Sequence, residues 1–215
     1  MRHMHTDLTD HIGVDEAGRG CLAGPVVAAA VLFPAGCDTL ALLPELADSK
    51  QCSVATRNRL APLVKQQCAA WRIGISWPAE IDEVNILNAT FRAMSRAVSR
   101  LRLADVLPPL AVDGNHRIRK DAWYTVTTRP LPEQVAVIGG DATVPAISAA
   151  SILAKVFRDA FMEKMHARWP LYGFGGHKGY GTREHVAAIA EHGPCPIHRK
   201  TFRGVRTEEQ QFSLF

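Results

Sequence analysis

Apolar residues recur along this 215-residue chain with two different periods, and the places where the period changes mark out its elements. Residues 12–16 form a short apolar run that predicts a buried strand, and 25–33 form a second run whose β-branched content suits a neighbouring strand. Residues 71–77 alternate as a strand does and stop at Pro78. Two more apolar runs, 110–112 and 134–138, each lead into an acid: Asp113 in Asp113-Gly114-Asn115, and Asp141 in Gly139-Gly140-Asp141. The helical period takes over elsewhere. Ser53 precedes a stretch at 55–68 with Leu60, Leu63 and Val64 at helical spacing, which Pro62 is expected to disturb. Leu87, Phe91, Met94, Val98 and Leu101 make an amphipathic helix whose other face carries Arg92, Arg96 and Arg100. A long helix is predicted over 144–169, and a shorter one over 182–192, ended by Gly193. Strands interspersed with helices, and a helical end, predict an α/β core with a small helical C-terminal appendage. No internal repeat or low-complexity segment interrupts it.

Composition narrows this picture. At 47% hydrophobic the chain can bury a substantial core in one domain. No stretch reaches the roughly 20 apolar residues of a membrane span, and the best candidate, 21–33, is interrupted by Gly24 and Pro25. The first ten residues carry His, Asp and Thr with no apolar run, so no secretory signal is read and a cytoplasmic protein is expected. Five cysteines without a Cys-x-x-Cys pair argue for reduced thiols and against a zinc site or disulfide framework. The net charge of +4 is unevenly spread. Residues 1–50 hold three Lys and Arg against seven Asp and Glu, whereas 155–206 hold ten against four. An acidic beginning and a basic end suit a cation-loaded site beside a surface that tracks phosphates.

The acids supply the chemistry. Asp15 and Glu16 end the first strand and are followed at once by the flexible, cationic Gly18-Arg19-Gly20. Asp113 and Asp141 end two others, and ligands of α/β sheets gather at such ends. Four carboxylates converging there would repel one another unless cations lay among them, and oxygen-only ligands select Mg²⁺ or Mn²⁺. Taken singly, Asp113 also fits a turn and Asp141 a helix cap. No covalent nucleophile is required, so Ser148 and Ser151 are read as helix-packing residues. Of nine histidines, none at zinc-site spacing, His177 is the one expected to touch nucleic acid.

Six motifs, in order, resemble ribonuclease HII, the type 2 ribonuclease H family: DEAGRG at 15–20, DSK at 48–50, DGN at 113–115, GGDATVPAISAASILAKVFRD at 139–159, HKGYGT at 177–182 and HRKTF at 198–202. The likeness runs from about residue 12 to 206. It implies a ribonuclease H-like mixed β-sheet flanked by helices over 11–170, a helical and loop part contacting nucleic acid over 171–206, and flexible ends at 1–10 and 207–215. It implies an endoribonuclease that cuts the RNA strand of RNA-DNA hybrids, and cuts 5′ of ribonucleotides embedded in duplex DNA, using two ions held by Asp15, Glu16, Asp113 and Asp141. Gly18, Arg19, Gly20 and Tyr180 would recognise the RNA-DNA step, and Lys50, Lys155, Lys178 and Arg183 would contact phosphates. A monomer is expected. The chain departs from the family in placing His116 before Arg117 and in a long connection between Asp113 and Asp141, which leaves the conformation of 123–133 open. The ending Gln211-Phe212-Ser213-Leu214-Phe215 is similar to the short bacterial sliding-clamp-binding motif, with Gln211, Phe212, Leu214 and Phe215 as anchors; a tail folded back on the body is the alternative. Two rivals stay open at this point: a junction nuclease using similar carboxylates, and a silent hybrid-binding or clamp-associated adaptor.

Overall fold

The structure, a computed structural model, describes residues 8–46, 52–103 and 106–205. Strands β1 (Ile12–Ala17) and β2 (Val26–Leu32) form an antiparallel pair, and after the short helix α1 (Thr39–Leu42) and helix α2 (Val54–Gln67) strand β3 (Ala70–Ser76) joins the far side of β2. Helix α3 (Pro78–Ser99) crosses back to β4 (Leu110–Asp113), which lies parallel to β1. Helix α4 (Lys120–Val126) then leads to β5 (Gln134–Val137), parallel to β4, giving the sheet order β3-β2-β1-β4-β5. The helical turn α5 (Gly140–Thr143) opens into the long α6 (Pro145–Arg168), followed by α7 (Phe174–His177) and α8 (Arg183–His192). This is a ribonuclease H-like mixed sheet with flanking helices. Among the described residues no helix is long and apolar enough to cross a membrane.

The two faces follow from the two-residue period of a strand. Ile12, Val14, Ala28 and Ala30 pack against α3, while Ala17, Val27, Ala29 and Val31 pack against α2 and α6. Because β2 is covered on both sides, its sequence reads as one continuous apolar run. The α6 backbone lies directly on β1 at Gly13, where an added Cβ would fall 2.1 Å from the Ala146 carbonyl carbon. That approach fixes the depth at which α6 sits, and so the surroundings of Asp15.

Three local departures from the sequence reading have physical causes. Pro62 is accommodated inside α2, whose N-terminus is capped by the Ser53 hydroxyl accepting from Thr56 N–H at 3.1 Å. Helix α3 starts nine residues before Leu87, at Pro78, and is broken at Asn85 (φ 66°); the Asn85 side chain accepts from Asn88 N–H at 3.1 Å, capping the second, periodic segment. The open connection after Asp113 contains α4, held down by Trp123, which is fully buried and donates from Nε1 to the Arg129 carbonyl at 2.7 Å. The Gln134 amide closes this connection by exchanging hydrogen bonds with both backbone groups of Ile118.

The chain beyond α6 builds a satellite core in which Tyr172, Phe174, Ile189 and Val205 enclose Leu22 and Met162. Through Leu22 and an isolated bridge between Ala23 and His198, this part grips the loop that follows β1.

Candidate active site

Parallel pairing brings the first two acids together. The register that sets Val14 opposite Val112 places Asp15 beside Asp113 on the sheet face that α6 covers. Adjacent strand residues point to opposite faces, so Glu16 turns the other way, into a recess it shares with Asp113, Asn115, His116 and Phe91 of α3. Asp141 enters from the first turn of α5, and its N–H donates to Asp113 Oδ1 at 3.2 Å. Ser148, one turn into α6, has its hydroxyl 2.5 Å from the Asp141 carbonyl oxygen and 2.7 Å from that of Leu46. Ser151, also buried, faces the Asp15 carboxyl without a well-aligned hydrogen bond to it. The Ser148 hydroxyl is thereby committed to backbone carbonyls, and both serines are buried in the packing of α6.

The carboxylates are costly as they stand. Burial, with Glu16 and Asp113 adding like charge, pushes Asp15 up to about 8, against a Glu16 backbone N–H donating to its Oδ1 at 2.7 Å. Burial also raises Glu16, opposed by Arg19, whose Nη1 lies 3.3 Å from Glu16 Oε1. At neutral pH the Asp15 carboxyl, so placed, keeps its proton unless a cation lies beside it. Among the described residues no three acids, histidines or cysteines stand close enough to grip one ion without adjusting. The donors are nevertheless all hard oxygens with no lysine among them, a set that fits Mg²⁺ or Mn²⁺ and not a thiolate-seeking metal.

Around this cluster the predicted nucleic-acid contacts divide. Gly18, Arg19 and Gly20 form the turn directly after β1, with Arg19 and Gly20 exposed. Tyr180 is 54% exposed, in the turn ahead of α8. Arg183 is exposed at the start of α8, and Lys155 is half-buried on α6. Lys178 is already committed: its Nζ pairs with Glu163 at 2.5 Å and reaches the Gly175 carbonyl. Lys50 and the 211–215 peptide lie outside the described residues.

His177 corrects the expectation placed on it. Its Nδ1 accepts from Gly179 N–H at 3.1 Å, its Nε2 lies 2.7 Å from the Tyr172 carbonyl oxygen, and its ring stacks on His185 at 4.4 Å. Both nitrogens are used internally, so no polar edge is left for nucleic acid. A relay extends beneath it: Cys195 N–H donates to His198 Nδ1 at 2.9 Å, His198 Nε2 lies 3.0 Å from His185 Nε2, and His185 Nδ1 lies 2.8 Å from the Tyr180 carbonyl oxygen. These bonds assign one proton to each ring, on His198 Nε2 and His185 Nδ1, so both are neutral. Burial, reinforced by His185, holds His198 down to about 4, and burial likewise lowers His185. Sequence reasoning left these two residues unassigned because nothing in their spacing shows that they meet. It also counted Arg158 and Arg199 merely as basic charge, although both are buried under the loop after β1.

Acids at neighbouring strand ends of a ribonuclease H-like sheet, beside a cationic loop and exposed basic residues, define a nuclease that hydrolyses phosphodiesters. Comparison with known proteins makes the assignment specific. The chain belongs to the ribonuclease HII family, whose sequence profile, described as Ribonuclease HII, matches residues 12–205. It is 52% identical over 207 residues to the ribonuclease HII of Nitratidesulfovibrio vulgaris, covering 94% of this chain and 91% of that protein. Among solved structures it is similar to the ribonuclease H2 of Pyrococcus horikoshii OT3, with TM-score 0.72, 27% identity, and 94% of this chain and 98% of that one covered. It is also similar to the structure of a PCNA:RNase HII complex from Archaeoglobus fulgidus, with TM-score 0.67, 25% identity, and 92% and 97% covered. The chain is therefore an endoribonuclease acting on RNA-DNA hybrids, which sets aside the silent adaptor and the junction nuclease.

Proposed function

We propose that this endoribonuclease also cuts on the 5′ side of single ribonucleotides embedded in duplex DNA, leaving 5′-phosphate and 3′-hydroxyl ends, with Asp15, Glu16, Asp113 and Asp141 holding two Mg²⁺ or Mn²⁺ ions. The observation that carries this reading is the register of β1 and β4, which sets Asp15 beside Asp113 with the Asp141 amide on Asp113 and the glycine-rich loop directly after. When bound, two such ions lower the pKa of an attacking water and offset charge on the departing 3′-oxygen. The chain does the rest. Asp15, deep against α6, and Asp113 are assigned to direct ligation, Asp141 to the second ion, and Glu16, which faces the α3 side, to the substrate or to bridging.

Gly18 and Gly20 carry no Cβ, so their backbone can come within bonding distance of a ribose, whose 2′-hydroxyl both donates and accepts. Arg19 is placed to exchange its Glu16 contact for a phosphate, and Tyr180 offers an exposed flat face to the sugar at the junction. Lys155 and Arg183 are assigned to flanking phosphates. Lys178 could join them only by leaving Glu163. The 211–215 peptide is assigned to a DNA sliding clamp, a role supported by the PCNA complex of the Archaeoglobus fulgidus relative, and the enzyme is taken to work as a cytoplasmic monomer.

The test is incubation with Mg²⁺ and a duplex containing one ribonucleotide, with an all-DNA duplex as control. Cleavage 5′ of the ribonucleotide, with the control intact, is expected. Equal cutting of both duplexes, or of neither while a hybrid is degraded, would overturn the reading.

A further inference from the structure

Arg158 and Arg199 are 1% and 0% exposed, and among the described residues neither is paired with a carboxylate. Every hydrogen bond they make runs to a backbone carbonyl. Arg199 donates from Nη2 to Gly18 at 2.6 Å, from Nη1 to Arg19 at 2.8 Å and from Nε to Gly24 at 3.0 Å. Arg158 donates from Nε to Pro25 at 3.1 Å, from Nη2 to Ala23 at 3.0 Å and from Nη1 to Lys178 at 2.8 Å. Burying two cations side by side with no carboxylate bonded to either is costly, and apolar residues would fill the same volume more cheaply. What a guanidinium supplies instead is a rigid planar fork that fixes three acceptors at once.

Those acceptors determine which way the loop faces. In a planar trans peptide the C=O and N–H point in opposite directions. Drawing the Gly18 and Arg19 carbonyls inward onto Arg199 therefore turns the N–H groups of Arg19 and Gly20 outward, as a pair of donors on the exposed side. Gly18 adopts φ +89°, and a Cβ there would sit 2.0 Å from Arg158 Nε, so the first glycine of the motif is required by the arginine beneath it. Arg158 also reaches the Lys178 carbonyl, two residues before Tyr180. It stands two helical turns after Ser151 on the same face of α6, so one helix relates Asp15, the glycine loop and the tyrosine turn.

We infer that Arg158 and Arg199 are positioning residues for ribonucleotide selection: they hold the outward amide pair of Gly18-Arg19-Gly20 at a fixed orientation to Tyr180, and so set the preference for ribose over deoxyribose. This rests on the embedded-ribonucleotide reading above. The lysine variants separate geometry from charge, because an ammonium keeps the charge but cannot span three fixed carbonyls.

Binding is measured without turnover in an Asp113→Asn background, by fluorescence titration of a duplex with one ribonucleotide and of its all-DNA match. The parent is expected to prefer the ribonucleotide duplex. Arg199→Lys or Arg158→Lys is expected to reduce that preference about tenfold while all-DNA affinity moves less than about twofold. A merely structural role would weaken both affinities together. Lysine variants that fold by circular dichroism and keep the parental preference overturn the inference. Should neither fold, Gly18→Ala, which must displace the Arg158 guanidinium, takes their place, and an unchanged preference there overturns it equally. A parent with no preference for the ribonucleotide duplex refutes the underlying reading, and this inference with it.

Discussion

Acidification tests the histidine relay beneath Tyr180. His198 is 2% exposed, and its folded-state pKa is about 4, set by burial and then by His185, against about 6.5 in an unfolded chain. Between those values the unfolded state binds the extra proton, so the stability contributed by neutral His198 is complete above about pH 6.5 and is lost as pH falls toward 4. At pH 4.5 the loss comes to about 2.5 kcal/mol, and His185, lowered for the same reason, adds to it in the same direction. Asp15 and Glu16 act oppositely: their raised values mean that acidification relieves the cost of burying their charge. Comparing wild type with His198→Asn, at the same saturating Mg²⁺, removes the carboxylates from the difference. Asparagine keeps an acceptor for Cys195 N–H but cannot titrate. Urea unfolding at pH 7 should find the variant less stable by about 1 kcal/mol, from the lost bond to His185. By pH 4.5 that gap should close and reverse. A gap constant to within about 0.5 kcal/mol across the range would show that the relay is not held neutral, and would refute the tautomer assignment.

Further outcomes follow from the packing and the termini. Gly13→Ala drives a methyl group into the Ala146 backbone, so α6 must lift from β1; a loss of about 3 kcal/mol or more is expected in denaturant unfolding, with reduced cleavage because Asp15 and Ser151 shift apart. Trp123→Ala empties a fully buried site and removes the Nε1–H bond to the Arg129 carbonyl, which should cost about 3 to 5 kcal/mol in the same assay. Deleting residues 211–215 should leave hydrolysis of a short hybrid unchanged and abolish association with a sliding clamp measured by titration; unaltered clamp binding would remove that assignment.

How much of this was legible beforehand depended on the range over which each signal acts. The strands at 12–16, 25–33, 71–77, 110–112 and 134–138 were readable because a two-residue period, or a doubly buried run, is local. The same holds for α6, whose apolar stripe extends over 24 residues. Helix α4, at seven residues, is too short to show a period, and what fixes it is the burial of Trp123 under α3, a contact distant in sequence. The break at Asn85 was hidden for a related reason: its neighbours are compatible with helix, so the apolar period alone gives no sign of the positive φ there or of the cap its side chain makes to Asn88 N–H. In the site, Asp15, Glu16 and Asp113 were readable from their places near strand ends, whereas Asp141, expected at the end of β5, lies in the first turn of α5, because the two glycines before it start a helix rather than prolong the strand. Arg158 and Arg199 were not, because a basic residue in a basic segment gives no sign that it points inward. His177 misled for the opposite reason, since its motif neighbours lie at the surface while its own ring is enclosed by Tyr172, Gly179 and His185.

The central claim is that Asp15 and Asp113, neighbours across two parallel strands, act as one cation-holding unit. Single-turnover cleavage of a duplex with one ribonucleotide, at saturating Mg²⁺, tests it with Asp15→Asn, Asp113→Asn and the double variant. Residues acting as a unit are strongly non-additive, so each single change should lower the rate by about a thousandfold or more and the double no further than the worse single. Near-normal cleavage by either single variant, or losses that multiply in the double, would contradict the account.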